Sequence, residues 1–195
     1  MPASCRSSMW YSKRARRFSA IDMGLVRRER RRAGDFYNST IVKQVRKSVL
    51  LWYSPAEIYR LVTAIERYPE FLPWCERVEV LSREERNVTA KLHLAYSGLR
   101  HAFTTRNETV PDESVRIGLV DGPFSLLDGF WRFVPLPLAS TPGAATESAC
   151  KIEFEMRYAF SNAILEAAIS PVFDRIANTF VDSFVRRAGQ VYGQR

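Results

Sequence analysis

Few residues in this 195-residue chain are of types that perform covalent or acid–base chemistry, and their spacing argues against a concerted reactive site. The two histidines, His93 and His101, fall in strand-like stretches with no cysteine or carboxylate at metal-ligand spacing, so sheet residues are expected and not ligands. Cys5, Cys75 and Cys150 are too scattered for a zinc site or a disulfide framework and point to a reducing setting. Cys75 has no evident activating partner, which a nucleophile needs. Glu153 and Glu155 share a strand face with Lys151 and Arg157, opposite an apolar face, so a solvated outer surface explains them better than acid and base roles. A non-enzymatic chain without a bound metal is the expectation.

What the chain has instead is concentrated apolar surface in places where loops are normally polar. The stretch Pro69-Glu70-Phe71-Leu72-Pro73-Trp74-Cys75 is a connector stiffened by two prolines, yet it carries Phe71, Leu72 and Trp74. Such groups must be tucked under something. They form either a plug at the open end of a sheet or the rim of an apolar pocket, and the residues alone leave both open.

Positioning these groups falls to an ordered body that begins near Lys43. Val45, Lys47, Val49 and Leu51 alternate with Arg46, Ser48, Leu50 and Trp52, giving a first strand. Ser54-Pro55-Ala56-Glu57 is a helix start with a capping box, Ile58, Leu61, Val62 and Ile65 supply its buried stripe, and Tyr68-Pro69 is expected to end it. Strands are then predicted at 77–82, 88–96, 99–110, 114–120, 129–135 and 149–160, an antiparallel meander. Gly98 marks a bulge or tight turn, Gly122-Pro123 and Asp128-Gly129 bracket a loop carrying Phe124, Leu126 and Leu127, and Pro135 to Ser148 reads as a long hairpin connection. From Asn162 to Ala188, Leu165, Ile169, Phe173, Ile176, Phe180, Phe184 and Ala188 recur every three or four residues, the stripe of an amphipathic helix. A kink or restart is expected at Pro171, with Ser170 as its cap. This helix is the one element long enough to cover the apolar face of the sheet.

The formal net charge of +8 belongs to the N-terminal part. Residues 1–47 hold 13 Lys and Arg against 3 Asp and Glu, net +10, whereas residues 48–195 hold 16 against 18, net −2. The expected organisation is therefore a basic, disordered extension at 1–42 and a single domain at 43–195. The extension reads as a transit peptide, as a polybasic arm for RNA or a membrane surface, or as an overextended frame with its start at Met23 or later. The last is preferred, because nothing in the body needs the arm. No run of about 18 apolar residues exists to form a transmembrane helix.

Several blocks, in this order, resemble the coenzyme-Q-binding START-domain family, whose members include the RatA-like bacterial ribosome association toxins. They are Tyr53-Ser54-Pro55-Ala56-Glu57, Tyr68 to Cys75, Phe103-Thr104-Thr105-Arg106-Asn107, Leu119 to Phe124, Gly129-Phe130-Trp131-Arg132-Phe133, Pro171-Val172-Phe173 and Arg187 to Gly193. The resemblance spans about Val45 to Gly193, with Ser170 and Ala64-Ile65 as small departures from the family's pattern. It implies an α+β helix-grip fold, a curved antiparallel sheet wrapped around the long C-terminal helix, with a cavity between them. On that basis Phe71, Leu72, Trp74, Phe103, Phe124, Trp131, Phe173 and Phe180 are expected to line the cavity or its mouth.

The ligand implied is ubiquinone or a similar isoprenoid lipid, held non-covalently in support of respiratory electron transfer, with respiratory-chain components at a membrane surface as partners. At ~0.8 kcal/mol per buried CH₂, each five-carbon isoprenoid unit contributes roughly 3 to 4 kcal/mol before ordering costs, so the tail would dominate affinity. Thr104, Thr105, Arg106 and Asn107 are candidates to orient the headgroup, though strand alternation turns at most two of them inward, and a partner role toward Glu108 is preferred for Arg106. The alternative implied by RatA-like members is a regulator that binds the large ribosomal subunit and blocks subunit association. The expected setting is a bacterial cytoplasm, peripheral to the inner membrane, with the matrix side of a mitochondrial inner membrane as the alternative.

Overall fold

A computed structural model of the chain describes residues 41–96, 98–137 and 149–195. All elements below belong to the unit Asn38–Arg195. The expected N-terminal extension lies, up to residue 40, outside the described residues, as does most of the expected Pro135–Ser148 connection.

Seven strands, β1 (Lys43–Leu51), β2 (Cys75–Arg83), β3 (Asn87–Tyr96), β4 (Leu99–Val110), β5 (Ser114–Asp121), β6 (Phe124–Leu136) and β7 (Ala149–Phe160), form one curved sheet in the order β1-β7-β6-β5-β4-β3-β2. Every neighbouring pair is antiparallel. Alternation gives the sheet an apolar concave face and an outer face of ion pairs. On β7, for example, Ile152, Phe154, Met156 and Tyr158 are buried, while Arg157 on the other face pairs with Asp128 of β6 through two hydrogen bonds of 3.0 and 2.5 Å.

β6 begins five residues earlier than the sequence predicts. The expected loop around Phe124, Leu126 and Leu127 is instead strand, with Phe124 opposite Phe160 and a bulge before Leu126. The turn signal at Asp128-Gly129 misleads because Gly129 serves close packing: a Cβ there would sit 3.3 Å from Ile117 Cδ1 of β5. At Gly122, by contrast, a positive φ of 147° joins β5 to β6, and a Cβ would collide with Phe103 at 2.6 Å.

Helix α1 (Pro55–Thr63) starts at the expected capping box: the Ser54 hydroxyl accepts from the Glu57 N–H, and the Glu57 carboxylate accepts from the Ser54 N–H at 2.7 Å. The expected end at Tyr68-Pro69 is corrected. The α-helix stops at Thr63, and a 3₁₀ turn over Ile65–Glu70 runs through Pro69. Tyr68 turns back so that its hydroxyl donates to the Val62 carbonyl at 2.7 Å, satisfying one of the unpaired carbonyls of the helix end.

Helix α2 (Ala163–Tyr192) is capped by Asn162, whose side chain accepts from the Leu165 N–H at 2.9 Å. It runs without interruption through Pro171, and the expected restart with Ser170 as cap does not occur. Pro171 deprives the Ala167 carbonyl of its helical donor, a cost of roughly 3 kcal/mol. Tertiary contacts offset it. Ile169 and Phe173 are buried on either side, and Lys43 of β1 reaches both Ser170 and Asp174, the latter at 2.8 Å. Lys47 reaches Asp182 at 3.4 Å. Four strand residues span about 13 Å and eight helix residues about 12 Å, so the two lysines and two aspartates meet in register.

Candidate functional site

Between the concave face of the sheet and α2 lies an apolar cavity of about 60 Å³. Its walls come from every layer of the fold. Tyr68 and Trp74 come from the 3₁₀ turn and the connector; Leu92, Phe103, Ile117, Leu127 and Met156 from strands; and Phe173, Ile176 and Phe180 from α2. Antiparallel alternation explains the β4 contribution: Phe103, Thr105 and Asn107 share the inner face, while Arg106 points outward. Arg106 lies 3.8 Å from Glu84, not on the preferred partner Glu108. Both Thr104 and Thr105 are nevertheless buried, because the β4–β5 register shifts between them.

Of the eight residues expected to form the pocket, Trp74, Phe103, Phe173 and Phe180 line the cavity. The other four stand behind it. Trp131, fully buried, backs Phe180 and Phe184 at ring distances of 5.7 and 5.2 Å. Phe124 packs on Phe173 at 4.8 Å and Phe103 at 5.7 Å, Leu72 of the connector is buried, and Phe71 lies between Tyr68, Phe184 and the Arg187 guanidinium. The cavity also uses Tyr68, Leu92, Ile117, Leu127, Met156 and Ile176, which sequence reasoning did not place there. The alternation of β7 signals an inward Met156 and the periodicity of α2 an inward Ile176, but neither says which inward residues meet packing and which meet space.

The cavity is electrically quiet. Asp128 contributes to its wall, yet its carboxylate is held on the outer face by Arg157. Burial pushes the Tyr68 phenol far above its ordinary range, so it stays neutral. Burial likewise pushes the Cys75 thiol up to about 11. Two polar atoms at the lining residues are buried without any hydrogen-bond partner: Trp74 Nε1, a donor, and Asn107 Oδ1, an acceptor. An unpaired buried polar group costs about 1–3 kcal/mol, so each is an unmet hydrogen-bonding capacity among the lining residues. Among the described residues, no cluster of three His, Cys, Asp or Glu side chains is arranged to hold a metal, and no helix is long and apolar enough to cross a membrane.

Comparison with known proteins agrees with this geometry. Residues 51–185 match the family described as polyketide cyclase/dehydrase and lipid transport. A ribosome association toxin RatA from Vibrio cholerae is 38% identical over 153 residues, covering 78% of this chain and 100% of the relative. A mitochondrial coenzyme Q-binding protein homologue from Xenopus laevis is 27% identical over 150 residues, 76% of this chain and 59% of that protein. Among solved structures, the Zhui aromatase/cyclase of a Streptomyces species superposes with a TM-score of 0.60 at 15% identity, covering 77% of this chain and 95% of its own, a likeness of fold. The helix-grip arrangement of sheet, cavity and α2 thus coincides with a family match across most of the described body, and the chain belongs to the polyketide cyclase/dehydrase and lipid transport family.

Proposed function

We propose that the chain binds a neutral hydrophobic ligand with a carbonyl-bearing ring, a ubiquinone, between the sheet and α2, and carries it without chemical change. The observation that carries this reading is the pairing of apolar walls with two unsatisfied polar atoms, Trp74 Nε1 and Asn107 Oδ1. The indole N–H suits a quinone carbonyl, and Asn107 Oδ1, an acceptor, suits a hydroxyl of the reduced quinol form. The absence of an ionised group facing the cavity favours a neutral ligand. The name of the Xenopus relative, coenzyme Q-binding, supports the choice of quinone.

Size decides how binding proceeds. An apolar cavity of about 150 Å³ takes up benzene, and the present 60 Å³ is less than half of that. The ring of a quinone therefore enters only as α2 and its phenylalanines withdraw from the sheet. Carriage, not catalysis, fits the buried and protonated Cys75 and the lack of a base beside it. The proposed setting is a bacterial cytoplasm with the protein peripheral to the inner membrane, where respiratory-chain components receive the ligand.

Solvent extraction of the purified chain followed by mass spectrometry tests the reading, with quinone near one per chain expected. Trp74→Phe keeps the ring and removes the donor. It should weaken quinone binding about 2- to 12-fold, the worth of one hydrogen bond. Extracts free of isoprenoid lipid, or affinity unchanged in Trp74→Phe, would count against it.

A second reading is association with the large ribosomal subunit, favoured by the full-length match to a protein named for ribosome association. Cosedimentation of the chain with large subunits, with no lipid in the extract, would move it to first place.

A further inference from the structure

The outer face of the sheet carries a second hollow, about 600 Å³, directly behind the first; Ile117, Asp128 and Gly129 border both. At its centre Phe130 of β6 lies between two arginines, with the Arg116 and Arg132 guanidinium carbons 5.4 and 5.6 Å from its ring centre. Register explains the arrangement: Arg116 is opposite Phe130 across the β5–β6 ladder, and Arg132 is two residues further along β6.

The charges of this hollow are incompletely spent. Arg116 and Glu108 are directly opposite each other in the β4–β5 ladder, yet neither forms an ion pair among the described residues. Arg132 approaches Glu153 only to 3.7 Å, and Lys151 holds that carboxylate at 2.6 Å. Arg106 reaches Glu84 only at 3.8 Å. The other carboxylates at the rim are occupied, Asp128 by Arg157 and Glu155 by Arg46 and Gln44. Gly118 keeps the hollow open. Its φ is not positive and a Cβ would meet nothing closer than the Arg106 carbonyl at 3.8 Å, so neither backbone conformation nor packing requires a glycine there. Gly118 sits at no register shift of either ladder, which leaves close approach of another molecule to the backbone as the use of a strand glycine there.

We propose that this face docks an unpaired stretch of RNA. A base displaces the Arg116 guanidinium from the Phe130 ring and stacks in its place, the released Arg116 and the neighbouring Arg132 take the flanking phosphates, and Glu108 accepts from an exocyclic amino group. An aromatic platform framed by guanidiniums is the chemistry of single-strand recognition. The site is on the opposite side of the sheet from the lipid cavity and stands whatever that cavity holds.

Fluorescence anisotropy of a short labelled single-stranded RNA with the full-length chain, over a range of salt, tests the proposal. The basic N-terminal part contributes equally to every variant, so differences report the face. Phe130→Ala should weaken binding roughly 5- to 100-fold while Phe130→Tyr retains it. Arg116→Gln with Arg132→Gln should lower the slope of log K against log salt by about 1.4. Gly118→Val should block the hollow and weaken binding with all charges intact. Thermal midpoints and extracted lipid content are expected to match the parent chain, which separates this site from the cavity. Equal affinity and slope in all four variants, or variants that lose ribosome cosedimentation while keeping RNA affinity, would overturn it.

Discussion

At the scale of single residues, what matters is which groups the fold keeps uncharged. Burial pushes both the Cys75 and Cys150 thiols up to about 11, so at neutral pH well under a thousandth of either is thiolate. A thiol reagent followed by peptide mass mapping should leave both unmodified in the native chain and modify both in denaturant. Glu57 shows the opposite case. Burial is the largest influence on its carboxyl and acts to raise it, but hydrogen bonds from the Ser54 N–H and hydroxyl, together with the Arg195 charge, outweigh burial and hold it below the ordinary 4.5. A carboxyl lowered by folding contributes stability above its unfolded value, and that contribution is lost as pH falls from about 4.5 through the lowered folded value. Replacing Glu57 by Gln removes the charge, so the gap in thermal midpoint between parent and Glu57→Gln should close as pH drops from about 6 to 3. A constant gap would mean that the cap acts through hydrogen bonding alone.

At the scale of elements, α2 is the part under tension between local and tertiary preference. Pro171 sits mid-helix, and the helix continues because Ile169 and Phe173 are buried and because Lys43 and Lys47 pin Asp174 and Asp182. Pro171→Ala restores the hydrogen bond to the Ala167 carbonyl. It should raise unfolding free energy in urea by about 1–3 kcal/mol, somewhat less than the proline penalty because the unfolded chain regains freedom. If α2 must bend away to admit ligand, the same variant takes up quinone more slowly in stopped-flow fluorescence. The extent of α2 was legible in its periodic stripe, whereas its continuity through Pro171 was not, because the compensating lysines lie more than a hundred residues away in sequence. The start of β6 was misread for a similar reason: Gly129 looks like a turn residue until Ile117 is seen opposite it.

At the scale of the whole body, alternation was enough to foresee an apolar concave face, an outer charged face and one covering helix. The family resemblance, not alternation, named Trp74, Phe103, Phe173 and Phe180 together with Trp131 and Phe124, and nothing in the sequence separates them, since residues that line a space and residues that fill one share the same pattern. Which of them meet empty volume depends on packing across seven strands at once. That empty volume has a mechanical consequence. A void of 60 Å³ corresponds to on the order of 36 mL per mole, a substantial part of the volume change by which pressure unfolds proteins. The empty chain should therefore unfold at lower hydrostatic pressure than one whose interior is filled by ligand, and the difference in pressure midpoint should shrink in a variant that fills the space, such as Ala177→Val. Compression, which barely perturbs a fully packed domain, becomes for this protein a reading of whether its interior is filled.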